Sequence, residues 1–237
     1  IMLVFTGIFF SLLYVSYSIS EKETISKISL NIKLMAMQSS TGIENFFKAY
    51  LSDLEFLANT ESIQTNNHEG KKLINVFYAT HKEHITSVTR IDSTGRIIYC
   101  APYNKNIIGI DISTQPHNKN MNTVLTPVIS DIFIAAQGYR ALAVHVPVFI
   151  NNKYNGRISL LIKFDKIAES YLKNVKSVKT GSSWIISENG IILYHSELNN
   201  IDENADIYSN QTPSLKSVIQ KMKAGLEGDA WYRDKNQ

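Results

Sequence analysis

Residues 142–164, LAVHVPVFINNKYNGRISLLIKF, decide how this chain folds. Two β-branched, apolar runs flank the polar stretch Asn151-Asn152-Lys153-Tyr154-Asn155, and asparagine is a turn former. The spacing predicts a strand from Tyr139 to Ile150 and its partner from Gly156 to Phe164, antiparallel because the connection is too short for a crossover. Working outward, Val128 to Ala135 reads as a third strand, joined through a Gln137-Gly138 turn. Ile85 to Ile91 and Arg96 to Tyr103 read as an earlier hairpin around Asp92-Ser93-Thr94-Gly95. Between the two groups, Asn104 to Pro127 is irregular, with a short helix expected around Asn118 to Leu125.

A helix from Gly70 to His84 precedes these strands. After them come a helix from Asp165 to Asn174, a strand pair from Ser183 to Ser187 and Ile191 to His195 around Glu188-Asn189-Gly190, and a helix from Pro213 to Ala224. The order helix, two strands, helix, three strands is thus followed by helix, two strands, helix. That is an internal repeat of an α+β unit with antiparallel sheets, and the second unit is expected to be incomplete at its C-terminal end.

The N-terminal part is different. Ile1 to Ile19 (IMLVFTGIFFSLLYVSYSI) carries no charge, close to the length that spans a hydrocarbon core. Tyr14 and Tyr17 sit toward its end, as interfacial aromatics do, and SYSISEKET has no small-residue cleavage pattern of a signal peptide. A membrane anchor over 1–19 is expected. The sequence opens inside the run, so its flanking charges do not set an orientation. Ile25, Ile28, Ile32 and Met35, then Ile43, Phe46, Phe47, Tyr50, Leu51, Leu54 and Leu57, recur at helical spacing without a proline. A continuous helix from Glu21 to Ala58 would be roughly 55 Å long. Its second half has a face broad enough to pack on its own domain, and the thinner first stripe suits a seam between two copies.

The 237 residues are 44% hydrophobic and 19% charged, a globular composition. A net charge of +3 without a Lys/Arg cluster argues against nucleic acid as a partner. Cys100 is the single cysteine and follows an apolar run, which favours buried packing over reactivity. His81 and His84 have helical spacing, but no third ligand accompanies them. Met35 and Met37 read as packing residues. No nucleophile elbow, phosphate loop or HExxH string is present, so no catalytic residue, metal or cofactor is expected.

The ordered series RIDSTGRIIY, IIGIDIS, LAVHVPVFINNKYNGRISLLIKF and GSSWIISENGIILYHSE resembles the double Cache sensors, tandem PAS-like domains of prokaryotic transmembrane receptors. Gly109-x-Asp111, Pro147 and Gly156 carry most of the resemblance, and His195-Ser196 stands where His-Pro is usual. The resemblance implies a long helix over 20–60 backing two PAS-like modules. One over 61–165 would be membrane-distal and the other, over 166–237, membrane-proximal and truncated. It also implies an extracytoplasmic location at the plasma membrane, a parallel homodimer and a small-molecule ligand in the distal module.

Carboxylate-binding members carry Arg-x-Tyr-Phe after the Gly-x-Asp element, where this chain has Gln115-Pro116-His117-Asn118. Amino-acid-binding members place an Asp where this chain aligns Ala135. Neither recognition pattern transfers. The candidate ligand-binding residues are therefore Tyr103, Gln115, His117, Asn118, Asp131, Tyr139, Arg140 and His145. Alternation puts Arg140 on one strand face and Tyr139 and His145 on the other. Asp131 is equally a strand-edge carboxylate, Arg140 a solvated turn residue, and His145 a hydrogen-bonded core imidazole. With Asp131 as anchor, a neutral or cationic ligand is expected. The output implied by the resemblance is a sensor histidine kinase, with a chemoreceptor, a nucleotide cyclase as a further option, or a non-signalling membrane-anchored binding protein as alternatives. A membrane-anchored hydrolase would rest only on scattered His, Asp and Ser.

Overall fold

The computed structural model describes residues 2–115, 125–135, 139–173, 175, 182–196, 201–209 and 212–230. Helix α1 (Met2–Ala58) runs without interruption through the stretch whose periodicity predicts it. Among the described residues no helix is long and apolar enough to cross a membrane; the side chains of residues 1–4, where the apolar run opens, lie outside the described set. The chain forms two compact units, Gly42–Ser170 and Ile1–Thr41 together with Tyr171–Gln237.

The unit Gly42–Ser170 holds the C-terminal part of α1, α2 (Glu61–Gln64), α3 (His68–His81) and a six-stranded sheet. Its strands are β1 (Ile85–Ile91), β2 (Ile97–Ala101), β3 (Val128–Ile129), β4 (Phe133–Ile134), β5 (Arg140–Ile150) and β6 (Lys153–Ile162). The spatial order is β2-β1-β6-β5-β3, with β4 also paired to β5, and every pairing is antiparallel. Tyr50, Leu54 and Leu57 of α1 recur on one helical face and are buried with Ile63 and Ile74. Asn67 caps α3 by accepting from the Gly70 N–H at 3.0 Å.

Two departures from the expected strand and turn boundaries bear on the site. Val128 to Ala135 is not one strand. Ser130 replaces a rung of the ladder with its side chain, accepting from the Ala143 N–H at 2.9 Å and donating to the Asp131 carbonyl at 2.7 Å. Pairing therefore lapses between β3 and β4, and Asp131 falls in the gap, exposed. The β5–β6 turn is also tighter than the polar stretch implies. Asn151 and Asn152 have φ of 49° and 61°, the paired left-handed values of a two-residue hairpin turn, so β6 starts at Lys153. Gly156 has φ +90°, and a Cβ there would lie 2.1 Å from the Ile91 carbonyl oxygen.

Arg90 is fully buried and locks β1 to its neighbours. Its Nε donates to the Ile63 carbonyl at 3.1 Å, and Nη2 to Gln64 and Asn155 carbonyls at 3.3 and 2.8 Å. Nη1 donates to the carbonyls of Ile91 and Arg157. Burial lowers the guanidinium to about 10, with Tyr154 and Asp92 pulling the other way, so it stays charged at neutral pH. Asn155 Nδ2 adds a bond to the Gln64 carbonyl at 2.8 Å. The end of α2 is thereby tied to the base of the β5–β6 hairpin.

In the other unit, α4 (Phe164–Leu172), which begins in the first unit, leads to β7 (Trp184–Ile186) and β8 (Ile192–His195), an antiparallel pair. They are followed by α5 (Asp206–Ser209) and α6 (Pro213–Lys223). Ile192, Ala205 and Ile219 form its core, with Trp184, Ile186 and Leu215 packed against them. Ser39 of α1 donates to the Tyr171 carbonyl at 2.8 Å within this unit.

Candidate functional site

Alternation sends Ser87, Thr89 and Ile91 of β1 to one face of the large sheet and Arg90 to the other. On that first face, Thr89, Ser159 and His145 lie in one row, because Thr89 pairs with Ser159 and Ser159 with His145. His145 Nδ1 and Ser159 Oγ are 2.5 Å apart.

Facing this row is the segment after β2, held in place by its own backbone. The Ile97 N–H donates to the Ile110 carbonyl at 3.0 Å, Gly109 N–H to Ile97 at 2.8 Å and Ile112 N–H to Gly95 at 3.0 Å. Gly109 has φ +85°, which lets the chain turn back along β2, and Arg96 Nη1 donates to its carbonyl at 3.1 Å. Asp111 accepts from the Ser113 N–H at 2.9 Å; the Ser113 bonds, with Arg96 adding to them, hold its carboxyl below the usual range. The Gly109-x-Asp111 element is thus the device that folds Ile110 and Ile112 over the sheet.

Sheet and segment enclose a cavity of about 90 Å³. Ile91, Ile97, Ile107, Ile110, Ile112 and Leu161 make it apolar, and Ser87, Thr89, Gln115, His145 and Ser159 give it a polar side. Phe133 and Ala135 close it from β4 and the residue after it. No described lining residue is acidic or bears a fixed positive charge.

Of the sequence-derived candidates, Gln115 and His145 line this cavity. His117 and Asn118, and the short helix expected around Asn118 to Leu125, lie outside the described residues apart from Leu125. Tyr103 is 62% exposed, with its ring 6.1 Å from that of Tyr99. Asp131 is exposed and not part of the lining. Tyr139 donates to the Thr86 hydroxyl at 2.6 Å, and burial raises its phenol while that bond lowers it. Arg140 pairs with Asp165 at 3.0 Å.

Sequence reading missed Ser87, Thr89 and Ser159. Their signal was the alternation of small hydroxyls with β-branched residues in TSVTRI and RISLLI, visible only once the three strands are known to be neighbours. His81 and His84 stand in an aromatic cluster, with ring centroids 5.4 Å from Tyr50 and 5.8 Å from Phe46 respectively. Among the described residues no three His, Cys, Asp or Glu are grouped to hold a metal.

The Cache domain model matches residues 16–237. The chain belongs to the Cache domain family. Solved structures give the same fold at low identity. An extracellular ligand binding receptor from Desulfohalobium retbaense superimposes with TM-score 0.72 and 19% identity, covering 86% of this chain and 36% of that one. The Cache chain therefore spans about a third of that receptor's length. The ligand-binding domain of the Pseudomonas aeruginosa amino acid chemoreceptor PctC, in complex with GABA, gives 0.58 at 16% identity over 74% of this chain and 79% of that one. The Vibrio cholerae histidine kinase DctB sensor domain gives 0.58 at 11% identity over 76% and 74%. No curated protein matches the chain.

Proposed function

We propose that this Cache domain is the extracytoplasmic small-molecule sensor of a transmembrane receptor, with a histidine kinase as its output. The observation that carries the reading is the cavity of about 90 Å³ between the sheet and the 107–115 segment, apolar with a few convergent polar groups. Gln115 and His145 belong to its ligand set, joined by Ser87, Thr89 and Ser159. The PctC neighbour supports a chemoreceptor as the second reading of the output.

The architecture in this reading is a double Cache arrangement: an anchor over 1–19, a signalling helix over 20–60, a membrane-distal module over 61–165 and a membrane-proximal module over 166–237. The uncharged run at the N-terminus and the unbroken α1 support the anchor and its rigid link. Exposed Ile25, Leu30, Leu34 and Met37 on the same helix support a parallel homodimer. Ligand would then shift a two-state equilibrium of the distal module and pass it on through α1.

Ala135 tests the site. It is 4% exposed and lines the cavity, so Ala135→Leu places three more carbons in the space a ligand needs. In a thermal-shift screen of small metabolites, hits on the wild-type chain should be lost in this variant while the unliganded melting temperature moves little. A hit that survives Ala135→Leu undiminished puts the site elsewhere and overturns the reading.

A further inference from the structure

The apolar residues in the first half of α1 do not share one face. At about 100° per residue, Ile25, Ile28, Ile32 and Ala36 fall on one side of the helix, and Leu30, Leu34 and Met37 fall roughly 160° round from them. The isoleucine side is turned toward its own chain. Ile25, Ile28, Ile32 and Ala36 line a groove together with Gly228, Asp229 and Ala230, and Ile28 and Ile32 are half-buried. Ser39, on the same side of the next turn, is buried and donates to the Tyr171 carbonyl at 2.8 Å. All of these residues belong to the unit of Ile1–Thr41 and Tyr171–Gln237. The stripe whose spacing suggests a seam between two copies is therefore taken up within that unit.

On the other side, Leu30, Leu34 and Met37 are each about half exposed. Leu30 reaches the margin of a hollow beside Asp229, and Leu34 and Met37 lie outside it. Their steps of four and then three residues are those of successive core positions in a two-stranded coiled coil. Lys27, one step of three earlier, takes the preceding core position, where a lysine costs stability but fixes register and strand number. Asn31, Lys33 and Gln38 flank the stripe with polar side chains. In the same register Ile25 and Ile32 take the outermost position, away from any such seam.

We propose that two copies of this chain pair in parallel through Leu30, Leu34 and Met37, and that the isoleucine stripe takes no part in the seam. This rests on the homodimer reading above and assigns the face that it uses. The partner is a second copy because this spacing is self-complementary: across a parallel seam each core residue meets its own counterpart. The parallel sense follows from the uncharged run Ile1 to Ile19, which on that reading enters the membrane in one direction in every copy. Three apolar rungs make a short seam. It closes where the anchor concentrates the copies and opens in dilute solution.

The experiment is oxidative crosslinking of the full chain in phospholipid vesicles. Ile25→Cys, Leu30→Cys, Ile32→Cys, Leu34→Cys and Met37→Cys are each made in a Cys100→Ser chain, and every rate is divided by that of maleimide labelling so that burial is not read as distance. Leu30→Cys, Leu34→Cys and Met37→Cys should crosslink about tenfold faster than the other two, or more. Leu34→Glu should slow crosslinking through Met37→Cys about tenfold and move the melting temperature by no more than about two degrees, since the site is exposed. Ile32→Glu should instead lower the melting temperature, because it puts a charge against the chain that covers it. Rates highest at Ile25→Cys and Ile32→Cys overturn the assigned face and leave the homodimer in place. Equal rates at all five positions, crosslinking through Met37→Cys untouched by Leu34→Glu, or an Ile32→Glu chain that melts like the wild type also overturn the proposal. Crosslinking at none of the five overturns the seam and the homodimer together, and the sensor reading keeps its own test at Ala135.

Discussion

The Asp92 carboxylate organises the β1–β2 turn by accepting from the Thr94 N–H and hydroxyl at 2.9 and 2.7 Å and from the Arg96 N–H at 2.9 Å. Burial pushes its pKa up, but these bonds outweigh burial and hold the carboxyl below its ordinary value. The folded chain thus binds this proton less tightly than the unfolded one, and the stabilisation is present above the ordinary aspartate pKa near 4. Asp92→Asn should lower stability by somewhat under 1 kcal/mol at pH 6, because the group is partly solvated. Urea midpoints should show the gap between wild type and variant closing as pH falls through about 4 and below; a gap that widens on acidification contradicts the assignment. At this scale sequence showed which residues could bind but not which would meet. His145 and Gln115 reach the cavity, whereas Arg140 is drawn to Asp165, a partner 25 positions away that no local pattern reveals.

At the scale of elements, periodicity was a good guide wherever one face is buried. Strand β1 spans Ile85–Ile91 as its pattern implies, and α6 begins at the expected Pro213. It failed where a side chain took over a backbone role, as Ser130 does between β3 and β4. Gly156 was legible as the start of the strand after the turn and as part of the resemblance, but the reason for a glycine there was not. At Gly156 the positive φ coincides with backbone atoms of Ile91 and Asp92 within 2.7 Å of where a Cβ would be. Backbone cannot yield as a flexible side chain can, so Gly156→Ala should cost about 3 kcal/mol or more and lower the melting temperature by roughly 10 °C or more. A shift of only a degree or two in calorimetry would mean that the strands part more easily than their register implies.

For the whole molecule, the first half of α1 exposes a set of large apolar side chains. Ile25 is 41% exposed, Leu30 56% and Leu34 49%, the kind of exposed apolar surface that marks an interaction site. If two copies pair there, single cysteines placed along Ile25 to Met35 in a Cys100→Ser chain should crosslink in membranes with a period of about 3.5 residues. Uniform or absent crosslinking would show that this stripe is not the seam. The helix itself was plain in the sequence because its spacing is local. The tie between the end of α2 and the β5–β6 hairpin was not, since it runs through Arg90 to carbonyls, and carbonyls leave no trace in residue types.

Strand β1 carries two unlike duties on alternate residues, and this restricts how its gene can change length. Thr89 looks into the cavity while Arg90, one step on, grips the helix side. Loss or gain of one codon in this strand would exchange the faces, driving a guanidinium into the cavity and a threonine against the carbonyls of α2. Loss or gain of two would keep the parity. Reading-frame-preserving indels here should therefore be tolerated by even counts before odd ones, an accounting in codons rather than in kilocalories.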